Sequence, residues 1–340
     1  MKNNNEKSLH RRDFIKFSLA AAFFVSANKA FAGKALAANF LSSKELANFI
    51  ENNKKDNPNN FHAIYDDKKL KDEFYLFLKN VYNIYPQNDF HDLISKTTAS
   101  FKLDQEIYQK ILTSLSEMKP LLSEFRYAIP ALNKQKKEIA HQTLELLDGQ
   151  KNIRNYLEIG TPGRYVESLK DAIGIDGKIF LLDKNEPKYN PLDIVERGQL
   201  ARVGKFLPLN NYDPIPSSTI ENESLDLVTN YIGFHHSPLE KLENFVVSIN
   251  KTLKKGGIFI LRDHDVINED MNHMVSLAHD VFNVGLKVDW LDNHKEIRNF
   301  RTLNDWIVYL EKRGFKYQNK TLFQSGDPTK NGLMKFIKVQ

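Results

Sequence analysis

The chain has 340 residues, with 48 Lys and Arg against 43 Asp and Glu, a formal net charge of +5 and no cysteine. That length can bury a large core unaided, and the missing thiols exclude disulfides, thiolate metal sites, iron–sulfur clusters and thiol nucleophiles. Residues 1–32 hold Lys2, Lys7, Arg11, Arg12, Lys16 and Lys29 against Glu6 and Asp13, which is +4 of the +5, so the rest of the chain has no global field for nucleic acid.

The N-terminus reads Ser8-Leu9-His10-Arg11-Arg12-Asp13-Phe14-Ile15-Lys16, then an apolar run from Phe17 to Val25 and Ala30-Phe31-Ala32. The run is shorter than the ~20 residues a stable transmembrane helix needs, and Ala-x-Ala is a cleavage pattern. This segment resembles a bacterial twin-arginine export signal over residues 1–32, with His10 in place of the usual Ser or Thr. The resemblance implies the twin-arginine translocase as a partner during export and a periplasmic or secreted location, with anchoring to the inner membrane if the signal is retained.

Residues 33–150 read as a helical cap or substrate domain, polar with apolar stripes and almost without glycine. Helices are expected over Ser43–Asn53, Leu70–Tyr82, Gln105–Met118 and Lys134–Leu147, with breaks near Asn57-Pro58, Tyr85-Pro86 and Asp148-Gly149. Tyr65, Tyr75, Tyr82, Tyr85, Tyr108 and Tyr127 are candidates for an aromatic pocket, with half-buried packing the plainer role for Tyr at helical spacing.

From residue 151 the pattern alternates strands and helices, the signature of a doubly wound parallel sheet. The first strand, Ile153–Ile159, ends at Gly160-Thr161-Pro162-Gly163, where glycines permit a sharp turn into a helix whose N–H groups face a ligand. The second, within Gly177–Lys184, ends at Asp183, about twenty residues on, the spacing that suits a ribose-binding carboxylate. Strands three and four are expected within Lys205–Asn211 and Ser224–Ile232. Leu242, Phe245, Val246, Ile249 and Leu253 then recur at helical spacing, with Gly256-Gly257 expected to stop that helix before a fifth strand that ends at His264-Asp265. After a helix over Leu303–Arg313, two extended runs flank Gly326-Asp327-Pro328-Thr329-Lys330-Asn331-Gly332, which predicts a terminal hairpin.

Residues 151–340 resemble the class I S-adenosylmethionine-dependent methyltransferases. The resemblance rests on Glu158-x-Gly160-x-x-Gly163, on Asp183, on the Asp226–His236 stretch, on Leu253-Lys254-Lys255-Gly256-Gly257 and on the hairpin. It implies an α/β fold, a Rossmann-like seven-stranded sheet closed by an antiparallel hairpin, with S-adenosyl-L-methionine as cofactor. Glu158, Gly160, Thr161 and Gly163 would frame the methionine part, Asp183 with Lys184 the ribose, Asn210 and Asn211 the adenine, and Asn230 and Tyr231 the sulfonium side. Pro162 stands where the family usually has its middle glycine, and it removes an N–H and stiffens the loop.

The catalytic candidates are His235, His236 and His264, at the carboxyl ends of strands four and five, where an imidazole suits a general base. His235, His236, His264, His273, His279 and His294 match no standard ligand spacing, so no metal ligand is assigned. An Asn-Pro-Pro-Tyr motif for amino methylation of bases is absent, which favours O- or C-methylation of a small-molecule or lipid-like acceptor over nucleic acid. The alternatives are an exported, non-catalytic ligand-binding protein that keeps the fold, and a metal-dependent hydrolase built on the His and Asp residues.

Overall fold

The computed structural model describes residues 59–118, 129–150, 153–189, 194 and 201–339. The export signal, the helix expected over 43–53 and Tyr127 lie outside these. The described helices are α1 (Asn60–Tyr65), α2 (Lys68–Phe77), α3 (Gln87–Ser100), α4 (Asp104–Ser114), α5 (Ile129–Leu147), α6 (Val166–Ile173), α7 (Leu239–Thr252), α8 (Glu269–Gly285), α9 (Trp290–His294) and α10 (Leu303–Glu311). The strands are β1 (Tyr156–Ile159), β2 (Ile179–Asp183), β3 (Lys205–Pro208), β4 (Leu225–Asn230), β5 (Leu253–His264), β6 (Phe315–Phe323) and β7 (Asn331–Lys338). Among the described residues, no helix is long and apolar enough to cross a membrane.

The seven strands form one sheet in the order β3-β2-β1-β4-β5-β7-β6. β1 to β5 run parallel, β7 lies antiparallel to β5, and β6 antiparallel to β7. This is a Rossmann-like α/β sheet of seven strands, with the antiparallel terminal hairpin the sequence predicts. Period-two alternation divides each central strand between two helical layers. Leu157, Ile159, Phe259 and Leu261 pack with Phe245, Ile249, Trp306 and Leu310 of α7 and α10. Tyr156, Ile258 and Ile260 face the other side, onto Ile139, Leu146, Leu169 and Ile173 of α5 and α6.

A third core lies in the helical layer, where Phe61, Phe74, Phe77, Tyr82, Phe90 and Tyr108 pack against Met274, Leu277, Val281, Phe282 and Trp290. The packing therefore does not divide at residue 150. α5 belongs with the sheet, and α8 and α9, inserted between β5 and β6, complete the core of the N-terminal helices. Tyr65, Tyr82, Tyr85 and Tyr108 are buried in this layer, and the Tyr75 hydroxyl donates to Asn88 at 2.6 Å.

Several expected boundaries move for local reasons. α7 stops at Thr252 and Leu253 is already extended, with φ −71 and ψ 143, so β5 runs through Gly256-Gly257 and those glycines do not stop a helix. β3 ends at Pro208 because Asn210, Asn211 and Tyr212 all take left-handed φ, 44, 54 and 62. The expected helix over 70–82 is α2 followed by a π-helical turn, Leu78–Tyr82, which ends on Asn83 at φ 41. The 17-residue α8 is not among the elements expected above, although Met271, Met274, Val275, Ala278 and Phe282 recur at helical spacing, and its residues 274–285 are all buried.

Candidate functional site

In parallel sheets ligands gather beyond the carboxyl ends of the strands, and there the sequence-predicted residues fall into two groups. The first surrounds the turn from β1 to α6. Gly160 and Gly163 take φ 81 and 93, a region costly for any residue with a Cβ. A side chain at Gly160 would run into Ile232, and one at Gly163 into Val203. Thr161 Oγ1 donates to Glu158 Oε1 and accepts from the N–H groups of Gly163 at 3.3 Å and Arg164 at 3.2 Å. Glu158 Oε2 accepts from the Tyr156 hydroxyl at 2.9 Å, and that hydroxyl also meets Thr229 Oγ1 at 2.7 Å. Glu158 is fully buried. Burial pushes its carboxyl up, opposed by the hydrogen bonds from Thr161 and Tyr156. Glu158 thus braces the turn from inside.

Asp183, at the tip of β2, is buried and accepts the Lys184 N–H at 2.7 Å. Its carbonyl accepts from Leu209 N at 3.0 Å, which sets the left-handed Asn210-Asn211 turn beside it. Asn211 Oδ1 is buried without a hydrogen-bond partner. Across the turn, Asn230 Oδ1 accepts from Ile232 N at 3.2 Å, while its Nδ2 has no partner. Tyr231 turns toward the α5 layer, its hydroxyl 2.9 Å from Thr143 Oγ1 and its ring edge-on to Tyr165 at 4.5 Å.

The second group lies beyond β4 and β5. Of the six clustered histidines, the fold gathers four: His235, His236, His264 and His279, all almost fully buried, with ring centroids 4.1 to 5.8 Å apart where they neighbour. His273 instead meets Asn60 at 3.1 Å, and His294 stacks on Trp290. His235 Nδ1 lies 2.7 Å from Asp263 Oδ1, and Asp263 also accepts the N–H groups of Phe234 and His264, each at 2.8 Å. His236 Nδ1 donates to the Ile297 carbonyl at 3.2 Å. His264 Nδ1 donates to the Thr329 carbonyl at 2.9 Å, and its other nitrogen faces the Asn331 side chain at 3.3 Å. Burial pushes the imidazoles of His235, His236 and His264 down to about 3 and the Asp263 carboxyl up to about 6. At neutral pH the rings are therefore neutral and Asp263 is ionised, which places the His235 proton on Nδ1.

Sequence reasoning did not find the supports of this group: Glu296, 3.4 Å from His279 and 3.7 Å from His236, Arg298, which pairs with Glu296 and Asp280 at 2.8 Å each, and Phe300, whose ring lies 5.1 Å from those of His235 and His279. None carries a motif, and only the fold brings residues 296–300 beside β4. Asp265 has another task, since it accepts from Leu303 N at the start of α10.

No family model matches the sequence, and no curated protein matches it. Solved structures similar to it include the Burkholderia thailandensis 1,6-didemethyltoxoflavin-N1-methyltransferase with bound 1,6-didemethyltoxoflavin and S-adenosylhomocysteine, at 13% identity over 69% of this chain and 88% of that one, TM-score 0.41. A mitomycin 7-O-methyltransferase is 13% identical over 82% of this chain and 70% of its own, TM-score 0.41. An S-adenosylmethionine-dependent methyltransferase from Aquifex aeolicus is 12% identical over 62% and 98%, TM-score 0.38.

Proposed function

We propose that this protein is an S-adenosylmethionine-dependent methyltransferase that methylates oxygen or carbon on a small-molecule or lipid-like acceptor, and that it reaches the periplasm or the exterior by twin-arginine export. One observation carries the cofactor assignment. Asn211 Oδ1 and Asn230 Nδ2, an acceptor and a donor buried without partners, bracket the Gly160 turn and the Asp183 carboxylate at the carboxyl ends of β3 and β4. An unmet buried polar atom costs about 1–3 kcal/mol, and a ligand with a ribose and a purine offers both partners. Asp183 would accept from the ribose hydroxyls, Asn211 would meet the adenine side, and Asn230 would lie toward the sulfonium.

The cofactor supplies an electrophilic methyl group. The acceptor must be held in line with it, and a hydroxyl or acidic carbon must lose a proton. His235 suits that task, because Asp263 fixes its tautomer and leaves the Nε2 lone pair available. Burial keeps His235 weakly basic, which favours acceptors whose proton is itself acidic.

Calorimetric titration of the full chain with S-adenosylmethionine and S-adenosylhomocysteine tests this reading. Micromolar binding that weakens at least about tenfold, roughly 1.4 kcal/mol, in Asp183→Ala is expected. Silence of the wild-type protein toward both would sink it.

A second reading, an exported ligand-binding protein that keeps the fold without catalysis, is favoured by what lies against the turn. Ile232 and Val203 occupy the space beside Gly160 and Gly163, and Thr161 takes two N–H groups at the start of α6. It predicts that neither cofactor form binds.

A further inference from the structure

We propose that His235, His236 and His279 form a three-imidazole site for a zinc-class divalent transition ion beyond the carboxyl ends of β4 and β5. One ring nitrogen from each lies within 4.8 Å of the other two. A tetrahedral ion with Zn–N bonds of about 2.0–2.1 Å needs ligand nitrogens about 3.3 Å apart, so the rings must close in by about an ångström or somewhat more, which side-chain rotation can supply.

The surroundings are those of a metal centre. A metal-bound imidazole commonly gives its remaining N–H to a carboxylate or a backbone carbonyl, which fixes the tautomer and aims the lone pair. His235 does this with Asp263 and His236 with the Ile297 carbonyl. Their Nε2 atoms are buried and have no hydrogen-bond partner. His279, on α8, is backed by the Glu296 carboxylate.

His264 differs from His235 and His236 in that its second nitrogen faces a polar side chain, that of Asn331 at 3.3 Å. Asp263, Glu296 and Asp280 are buried on the surrounding segments, and Arg298 pairs with the last two. Neutral imidazoles select zinc, cobalt, nickel or iron over magnesium and calcium, which take oxygen ligands. Three of them leave a tetrahedral ion one position for water or an acceptor oxygen. As a ligand His235 would give up the role of free base, and a hydroxide in the fourth position would take the acceptor's proton and become water.

The site does not depend on the methyltransferase reading, since metal and cofactor binding are measured separately. The full chain, stripped with a chelator, is titrated with Co2+ as a spectroscopic probe and then with Zn2+ against a competing chromophoric chelator. One equivalent of Zn2+ and an intense visible Co2+ spectrum of four-coordinate type, displaced by Zn2+, are expected. His279→Gln should weaken zinc at least about 100-fold, whereas His294→Gln, on α9 outside the cluster, should leave stoichiometry and spectrum unchanged. Melting curves show whether each variant folds, and if His279→Gln does not, the wild-type Co2+ spectrum decides. A wild-type protein that takes up no stoichiometric metal, or a folded His279→Gln that binds as the wild type does, overturns the proposal.

Discussion

Polar side chains at the carboxyl ends of β1 and β2 find their partners within a few residues, whereas those beyond β4 and β5 find theirs across the chain. Glu158 meets Thr161 three residues on, and Asp183 meets the next N–H. His235 meets Asp263 28 residues away, His236 meets Ile297 at a separation of 61, and His264 meets Thr329 at 65. The first arrangement forms whenever the local turn forms. The second exists only once β4, β5, α8 and the 296–300 segment have assembled, so its polar groups go unpaired unless the whole structure is in place. Perturbing the long-range end should therefore cost global stability, and perturbing the local end should distort one turn.

The largest effect is expected at Asp263. Asp263→Ala removes the acceptor for His235 Nδ1, Phe234 N and His264 N at once. Unpaired buried donors cost about 1–3 kcal/mol each, and relaxation reduces the sum, so a loss on the order of 3–5 kcal/mol is expected in urea unfolding. Asp263→Asn keeps one oxygen and should lose clearly less. If the alanine variant lost only what a surface change loses, the cluster would be solvated and the contrast between the two ends would fail.

At the local end, Gly160→Ala adds a Cβ where φ is 81 and Ile232 already stands, while Gly174→Ala meets φ 68 with open space around it. Backbone strain alone costs about 1 kcal/mol, and strain with a forced shift about 2–3 kcal/mol. The difference between the two variants, read from their unfolding midpoints, isolates the contact between the turn and Ile232. Equal losses would mean that Ile232 moves aside freely, as a ligand entering there would require.

This contrast also explains what the sequence made legible. The strands, their order of appearance, the hairpin and the glycine turn depend on alternation and turn chemistry that act over a few residues. The helical layer was read only in part: α3 and α8 were not among the expected helices, although α8 carries apolar residues at helical spacing. Candidate residues on strand ends could be named, but the grouping of His279 with His235 and His236, and the backing by Glu296 and Arg298, depends on tertiary packing that no spacing encodes.

A smaller, graded effect tests the long-range principle in the helical layer. Asp104 accepts from Asn60 N at 2.6 Å, 44 residues away, and burial with the nearby Asp280 pushes its carboxyl up to about 7. The folded chain therefore holds this proton more tightly than the unfolded chain does between the ordinary carboxyl range and about 7. That contribution is fully present at low pH and is lost as pH rises through this window. Asp104→Asn cannot ionise. Its stability relative to the wild type should rise with pH by up to about 1.4 kcal/mol per unit across the window and level off above it, on top of a constant penalty of about 1 kcal/mol because the amide nitrogen cannot accept. Urea midpoints of both proteins at about pH 5 and about pH 8 measure that change. A gap independent of pH would mean that Asp104 ionises as a solvated carboxyl does, and that α1 is not held at its start by a buried acid from a distant helix.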